Sequence, residues 1–272
     1  MIDPGAVLAW GLPRLRDLPW RQTRDPWRIL VAEVMLQQTQ VERVIPKWNA
    51  FCDTYPTPAT CAAASLGDVL RLWHGLGYPR RARNLHDAAA AMVARHRGEV
   101  PDRLDDLLAL PGVGRYTARA VLAFAFERDE AVVDTNIARV LARVAGERLT
   151  PKQVQAAADA LVPRADGWAW NQCFMDLGAV VCRPAPRCGE CPVETSCRWR
   201  ATGQPEADPA VGSAAVSTPQ SRFEGSDRQA RGRVMKALTH GPEAAESFAP
   251  HIVDSLVADR LVVRDGGDLR LP

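Results

Sequence analysis

Four of the seven cysteines, Cys182, Cys188, Cys191 and Cys197, fall within sixteen residues in the spacing C-x5-C-x2-C-x5-C. Four thiolates this close along a chain can ligate either one zinc ion or one 4Fe–4S cluster. Zinc sites more often use paired C-x2-C knuckles, and only one is present here, so the spacing favours iron–sulfur. The remaining Cys52, Cys61 and Cys173 are scattered and are expected to be small buried hydrophobes. Disulfides are not expected in a chain of this type.

Two carboxylates also have settings suited to chemistry. Glu33 lies within the otherwise apolar run Ile29-Leu-Val-Ala-Glu-Val-Met-Leu36. A helix apolar on nearly every face is buried, and burial raises a carboxyl pKa because desolvation penalises the charged form. A general acid working near neutral pH requires that. The plainer alternative is a carboxylate satisfied by a structural arginine. Asp134 follows the apolar Ala131-Val-Val133 and precedes Asn136 and a helical stretch. Its plainer role is a helix N-cap, which does not exclude a second role at a helix N-terminus facing a cleft. As a pair, Glu33 and Asp134 are the residue types that break glycosidic bonds. One acid serves the leaving group, and one carboxylate serves the oxocarbenium-like sugar.

These groups need elements to position them. The segment Leu110-Pro-Gly-Val-Gly-Arg-Tyr-Thr-Ala118 reads as a tight turn between helices over 102–109 and 115–127. Gly112 and Gly114 let the backbone turn sharply and approach a ligand. N–H groups at the start of the following helix, at Thr117 among others, suit a phosphate. The pattern matches a helix–hairpin–helix element, which grips the DNA backbone without reading sequence. Asp25-Pro26 opens a helix over 27–38, and Ser65 with Asp68, and Thr150-Pro151 with Gln153, open two more. No alternating strands are predicted before residue 200. Residues 201–221 have linker composition, without Leu, Ile or an aromatic. Helices over 226–238 and 249–258, then strands over 261–264 and 269–271 around Gly266-Gly267, predict a small winged-helix-like module at 222–272.

Composition agrees with a folded, mainly α chain. Of its 272 residues, 47% are hydrophobic and 24% charged, which excludes disorder, coiled coil and collagen-like repeats. No apolar run is long enough to span a membrane. The N-terminus lacks the plan of a signal peptide, so a cytoplasmic, nucleoid-associated chain is expected. Residues 1–200 carry 26 Lys and Arg against 22 Asp and Glu, whereas residues 201–272 carry 8 against 10, so the positive excess sits on the longer part. Only Lys47, Lys152 and Lys236 are lysines. A DNA-gripping hairpin, two carboxylates and a cysteine-ligated cluster in one helical chain point to base excision.

The sequence resembles the MutY-type adenine DNA glycosylases of the helix–hairpin–helix (endonuclease III) superfamily from about Leu18 to Trp199. The matching motifs, in order, are Leu-Pro-Trp-Arg (18–21), Glu-Val-Met-Leu-Gln-Gln-Thr-Gln (33–40), Gly-Leu-Gly-Tyr (75–78), Arg-Ala-Arg-Asn-Leu-His (81–86), Leu-Pro-Gly-Val-Gly (110–114), Val-Asp-Thr-Asn (133–136), Met-Asp-Leu-Gly-Ala (175–179) and the cysteines. The resemblance implies a mainly α fold: a helix–hairpin–helix glycosylase domain over 1–200 with a 4Fe–4S loop at 182–197. It further implies a monomer acting on double-stranded DNA that contains a mismatch or an oxidised base. Glu33 would protonate the departing adenine, and Asp134 would stabilise, or transiently bond to, the anomeric carbon. Tyr116 and Asn136 would line the catalytic pocket, with Trp20 and Arg21 near the flipped base. Gln37, Gln38 and Tyr78 would wedge into the duplex around the opposite base.

Two departures stand out. The first cysteine spacing is x5 where the family usually has x6, with Pro184 and Pro186 inside it. The 75 residues after Cys197 are also too few for the Nudix-like domain by which many members recognise 8-oxoguanine. Discrimination is therefore expected to come from Gln37, Gln38 and Tyr78, and removing 222–272 is expected to leave it nearly unchanged. Three rivals remain: a thymine or uracil mismatch glycosylase, a glycosylase–lyase and a non-enzymatic iron–sulfur DNA-binding regulator. A lyase would need a Schiff-base lysine where Tyr116 stands. A regulator leaves Glu33 and Asp134 unexplained.

Overall fold

A computed structural model describes residues 2–204, 207–216 and 221–272. In chain order its helices begin with α1 (Pro4–Gly11), α2 (Pro26–Leu36), α3 (Val41–Thr54), α4 (Pro58–Ala63), α5 (Leu66–Trp73), α6 (Arg80–Arg95) and α7 (Leu104–Leu108). They continue with α8 (Arg115–Phe124), α9 (Thr135–Ala145), α10 (Pro151–Asp159), α11 (Gly167–Asp176), α12 (Arg198–Ala201), α13 (Asp227–Leu238) and α14 (Pro250–Ala258). The chain divides into two compact units, Met1–Arg24 with Arg115–Pro219, and Asp25–Gly114 with Gln220–Pro272.

Local chemistry sets most helix starts. The Asp25 carboxylate accepts the Arg28 N–H at 2.9 Å, and Pro26 at the first helical position lacks the N–H that would go unsatisfied there. Thr150 and Gln153 close a reciprocal capping box on α10. Ser65 caps α5 through the Asp68 N–H. Helix α2 stops at Leu36, two residues before its predicted end, where Gln37 leaves the helix at ψ 107° and Gln38 follows with a left-handed φ of 56°.

In the unit containing α2–α7, α4 and α5 pack on α6, and Phe51 meets Tyr55 and Trp73 edge to face at 5.1 and 6.2 Å. The same unit holds α13 and α14 with a three-stranded antiparallel sheet. Its strands β1 (Glu243–Ala244), β2 (Val263–Asp265) and β3 (Asp268–Arg270) lie in the order β1-β3-β2. Leu269 pairs with Glu243 on one side and Arg264 on the other, and its side chain is fully buried. This C-terminal module is fastened to the helices before it. The Asp259 carboxylate takes Arg80 and Arg231, the Asp259 carbonyl takes Arg83, Arg260 pairs with Asp87, and the Gly67 N–H donates to the Pro272 carbonyl at 2.8 Å.

In the other unit, α1 packs on α11, and Trp170 and Phe174 stack at 4.7 Å. Helix α11 runs into a π-helical turn, Leu177–Val181, that leads to Cys182. Gly178 is required in that turn, since a Cβ there would fall 2.6 Å from the Asn136 Cβ. Part of the expected linker is not a free tether. Asp208 pairs with Arg143, the Leu149 N–H donates to Ser213 Oγ at 3.0 Å, and Ala214 N–H donates to the Leu149 carbonyl at 2.9 Å. The linker positions 205–206 and 217–220 lie outside the described residues. Cys52, Cys61 and Cys173 are fully buried, and burial pushes their thiols up to about 12, 12 and 11, the inert hydrophobes expected from sequence.

Candidate active site

Asp134 is the N-cap of α9, accepting the Ile137 N–H at 2.7 Å. Its other oxygen accepts the Asn136 amide, also at 2.7 Å. Capping fixes the carboxylate at the positive end of a helix dipole. Burial nevertheless raises its pKa above the ordinary 3.8, against the opposing pull of the Ile137 and Asn136 hydrogen bonds and of Arg139. The strand-like segment before it is held by Asn171, which is 1% exposed. Asn171 accepts the Val132 N–H at 2.9 Å and donates to the Glu130 and Gly167 carbonyls. Asn136 in turn accepts from Arg139, whose guanidinium also reaches the Gly178 and Cys182 carbonyls at 2.7 and 2.6 Å. One hydrogen-bonded chain therefore runs from Asp134 through Asn136 and Arg139 to the cysteine loop.

Residues of the same unit differ in how they are placed. Tyr116, in the first turn of α8, is half-buried, whereas Thr117 is 2% exposed and points its side chain inward. Trp20 and Arg21 are both 8% exposed. Arg21 donates twice to Asp176, at 2.8 and 2.9 Å, and Arg16 adds a further bond to that carboxylate. Burial works against the Asp176 charge, but Arg21 and Arg16 outweigh it and hold the carboxyl below its ordinary value. The geometry thus gives Arg21 a firm structural anchor.

The four cysteines line one pocket with Val140, Arg143 and Trp199, enclosing about 370 Å³ of empty space counted to its open mouth. Their donor set is all sulfur. Burial pushes the Cys182, Cys191 and Cys197 thiols up, Cys191 to about 11, and the neighbouring thiols add to the shift. Arg143 organises the loop. It donates to the Arg183 and Pro184 carbonyls at 2.7 and 3.1 Å, lies 4.6 Å over the Trp199 ring, and approaches Cys182 Sγ at 3.4 Å. Gln204 donates to Cys188 Sγ at 3.1 Å. Four cysteine sulfurs lining one cavity, two of them met by the Arg143 and Gln204 donors, are the donor set an iron–sulfur group takes, although among the described residues they are not drawn together into a formed metal site.

The other unit carries Glu33, Gln37, Gln38, Tyr78, Gly112 and Gly114. Glu33 is 5% exposed within a helix buried at every position from Ile29 to Met35. Gln38 and Tyr78 both hold left-handed φ values, 56° and 47°, which side-chain-bearing residues rarely adopt. Such strain costs on the order of 1–3 kcal/mol per residue and gathers where function fixes the backbone. One buried arginine fastens both turns. Arg81 donates to the Val34, Met35 and Gln37 carbonyls and Thr39 Oγ1 on one side, and to the Leu76 and Gly77 carbonyls on the other, at 2.6–3.1 Å. Its guanidinium lies 5.4 Å from the Tyr78 ring. Burial brings its pKa down to about 10. A pocket of about 260 Å³ opens beside Gln37, Arg81, Asn84 and Gly112. Gly112 is exposed at φ 76°, and any Cβ there would meet Asn84 at 2.6 Å.

Arg139, Arg143 and Asn171 were not singled out from sequence, and Arg81 stood there only as the first residue of a matching motif, without a role. Each works through bonds to carbonyls or amides distant along the chain, and the available signal was only a polar residue inside an apolar helical pattern.

The family model of the HhH-GPD superfamily base excision DNA repair proteins matches residues 31–164. The adenine DNA glycosylase of Mycolicibacterium smegmatis (strain ATCC 700084 / mc(2)155) is 42% identical over 87% of this chain and 80% of its own length. Among solved structures, a thermostable thymine-DNA glycosylase superposes with a TM-score of 0.70 at 30% identity, over 73% of this chain and 95% of its own. Endonuclease III in a non-covalent DNA complex gives 0.65 at 26% identity, over 75% and 99%. The family match, the relatives and the fold define a base-excision-repair DNA glycosylase. Within that superfamily, the chain belongs to the MutY-type adenine DNA glycosylases.

Proposed function

We propose that the enzyme removes adenine mispaired with 8-oxoguanine or guanine in double-stranded DNA, by hydrolysis of the N-glycosidic bond. The reading is carried by a buried acid, Glu33, in a chain whose second carboxylate, Asp134, is held by Ile137 and Asn136 at a helix N-terminus. Glu33 protonates the departing adenine. Asp134 stabilises the positive charge that develops on the sugar. Asn136 donates to that carboxylate, Tyr116 lines the catalytic pocket with it, and Trp20 and Arg21 serve the flipped base. The hairpin backbone at Gly112, Gly114 and Thr117 takes a phosphate. Gln37, Gln38 and Tyr78 fill the gap left in the stack, and their strained, Arg81-fastened turns support that task. The endonuclease III neighbour's DNA complex supports DNA as the partner.

Single-turnover cleavage of four duplexes tests the reading: A opposite 8-oxoguanine, A opposite G, T opposite G and U opposite G. Both adenine duplexes should yield alkali-labile sites, without strand breakage before alkali. Faster cleavage of either G-paired pyrimidine would overturn the adenine assignment in favour of the thymine or uracil rival.

Cys182, Cys188, Cys191 and Cys197 would hold a 4Fe–4S cluster. When bound, that group supplies covalent cross-linking of the loop. The chain itself then presents the exposed Arg183, Arg187 and Arg198 around it to DNA phosphates. Purified protein should be brown and contain about four irons per chain, the load of a single 4Fe–4S cluster. One zinc and no iron on metal analysis would refute the assignment.

A further inference from the structure

Arg228 lies in the first turn of α13, where the helix dipole disfavours a cation. Its side chain reaches the turn before α6 in the same unit, and Nη1 donates to the Tyr78 hydroxyl at 3.3 Å. Its guanidinium also lies 5.3 Å over the ring of Phe223, which is 51% exposed. Tyr78 therefore meets one cation at its ring, Arg81, and a second at its hydroxyl, while its backbone holds a strained left-handed φ of 47°. Arginine carries donors only, so the Tyr78 oxygen accepts from it and keeps its own O–H to donate elsewhere.

We propose that Arg228 is a positioning residue for Tyr78. Through it the C-terminal module orients the wedge ring and aims its hydroxyl proton at an acceptor atom of the DNA. This rests on the proposed role of Tyr78 in the duplex. It also replaces the expectation that residues 222–272 are indifferent to discrimination, because their removal takes Arg228 away. The docking bonds of Asp259, Arg260 and Pro272 hold the module in the register that the contact requires.

The chain has three tyrosines, Tyr55, Tyr78 and Tyr116, so fluorotyrosine-labelled full-length protein gives three resolvable 19F resonances. Loss of one in Tyr78→Phe assigns it. In Arg228→Ala the Tyr78 resonance should shift and broaden without DNA, with partial return in Arg228→Lys and the other two resonances unmoved. With a duplex carrying 2-aminopurine beside an A opposite G mispair, Arg228→Ala should lose roughly tenfold in mispair-over-paired binding preference, within the range of coupling between touching residues. Fluorescence from the unstacked 2-aminopurine should fall with it. Adding Arg228→Ala to Tyr78→Phe should change nothing further, since phenylalanine has no hydroxyl to hold. A Tyr78 resonance indifferent to Arg228→Ala overturns the proposal, as do effects that multiply in the double variant. A wild-type Tyr78 resonance that ignores the mispaired duplex overturns the wedge reading, and this proposal with it. A wild type that responds, beside an Arg228→Ala variant that responds equally, overturns the proposal alone.

Discussion

Glu33→Gln is expected to lower the single-turnover rate of adenine excision by about 10²–10⁴-fold, the usual worth of general acid catalysis. Glutamine keeps the shape of the side chain in its buried helix but has no acidic proton to give the leaving base. Asp134→Asn should cost at least as much, because a neutral amide cannot stabilise a cationic sugar. The two variants should differ in stability. Asparagine caps a helix as well as aspartate does, so the bond to the Ile137 N–H survives. Burial raises the Asp134 pKa in the folded protein, so the folded state binds more protons than the unfolded chain above the ordinary value of 3.8. Stability from this group therefore falls as pH rises through the folded pKa, and the deficit is complete above it. A neutral asparagine side chain escapes that deficit. Against this the amide sets a donor where the Asn136 amide now donates, so Asp134→Asn should melt close to the wild-type temperature at neutral pH while being inactive. Near-normal excision by either variant would remove that residue from the mechanism. A strongly lowered melting temperature for Asp134→Asn would show that the carboxylate and its bond from Asn136 support the fold.

Arg143→Ala should destabilise the protein by about 3–5 kcal/mol, the usual result of removing one partner from a buried ion pair. The side chain is 1% exposed and holds both Asp208 oxygens, at 3.1 and 2.6 Å, as well as the Arg183 and Pro184 carbonyls. Its loss leaves a half-buried carboxylate and two loop carbonyls without their shared donor. For a chain of this length the melting temperature should drop by roughly 10 °C, and iron content should fall with it. Arg143→Lys should recover little, because an ammonium cannot span a carboxylate and two carbonyls at once. The pair also carries a pH signature. Burial opposes the Asp208 charge, but Arg143 holds the carboxyl below its ordinary value. This stability is present above the ordinary carboxylate range and is lost as pH falls through the folded pKa. A melting curve for Arg143→Ala that overlays the wild type would refute the role.

What was legible in the sequence was local. Asp25-Pro26, Ser65 and Thr150 with Gln153 cap their helices through bonds that reach three residues, and such bonds are written in the order of the chain. The burial of Glu33 followed from the apolar residues on every side of it. The hairpin glycines carried their own backbone preference. The roles of Arg81, Arg143 and Asn171 were illegible, even though Arg81 opens a matching motif, because their partners are carbonyls and amides brought near by packing, and every residue type has those. The stretch 208–216 misled for the opposite reason. Its small residues show no apolar pattern, yet Ala210 and Ser213 are buried and its backbone bonds to Leu149. Composition reports what side chains can bury, not what main-chain groups can pair with.

Arg81 has a further consequence, for how this chain can vary or be re-engineered. Its single guanidinium closes the Gln37–Thr39 turn and the Leu76–Tyr78 turn together. Neither turn is a module. Transplanting one onto another scaffold without Arg81 would deliver the residues but not their left-handed backbone. Substitutions that lengthen or shorten either turn should survive only when the other turn changes to match. The three segments form a unit of inheritance spread over 45 residues of sequence, from 37 to 81, joined by one side chain.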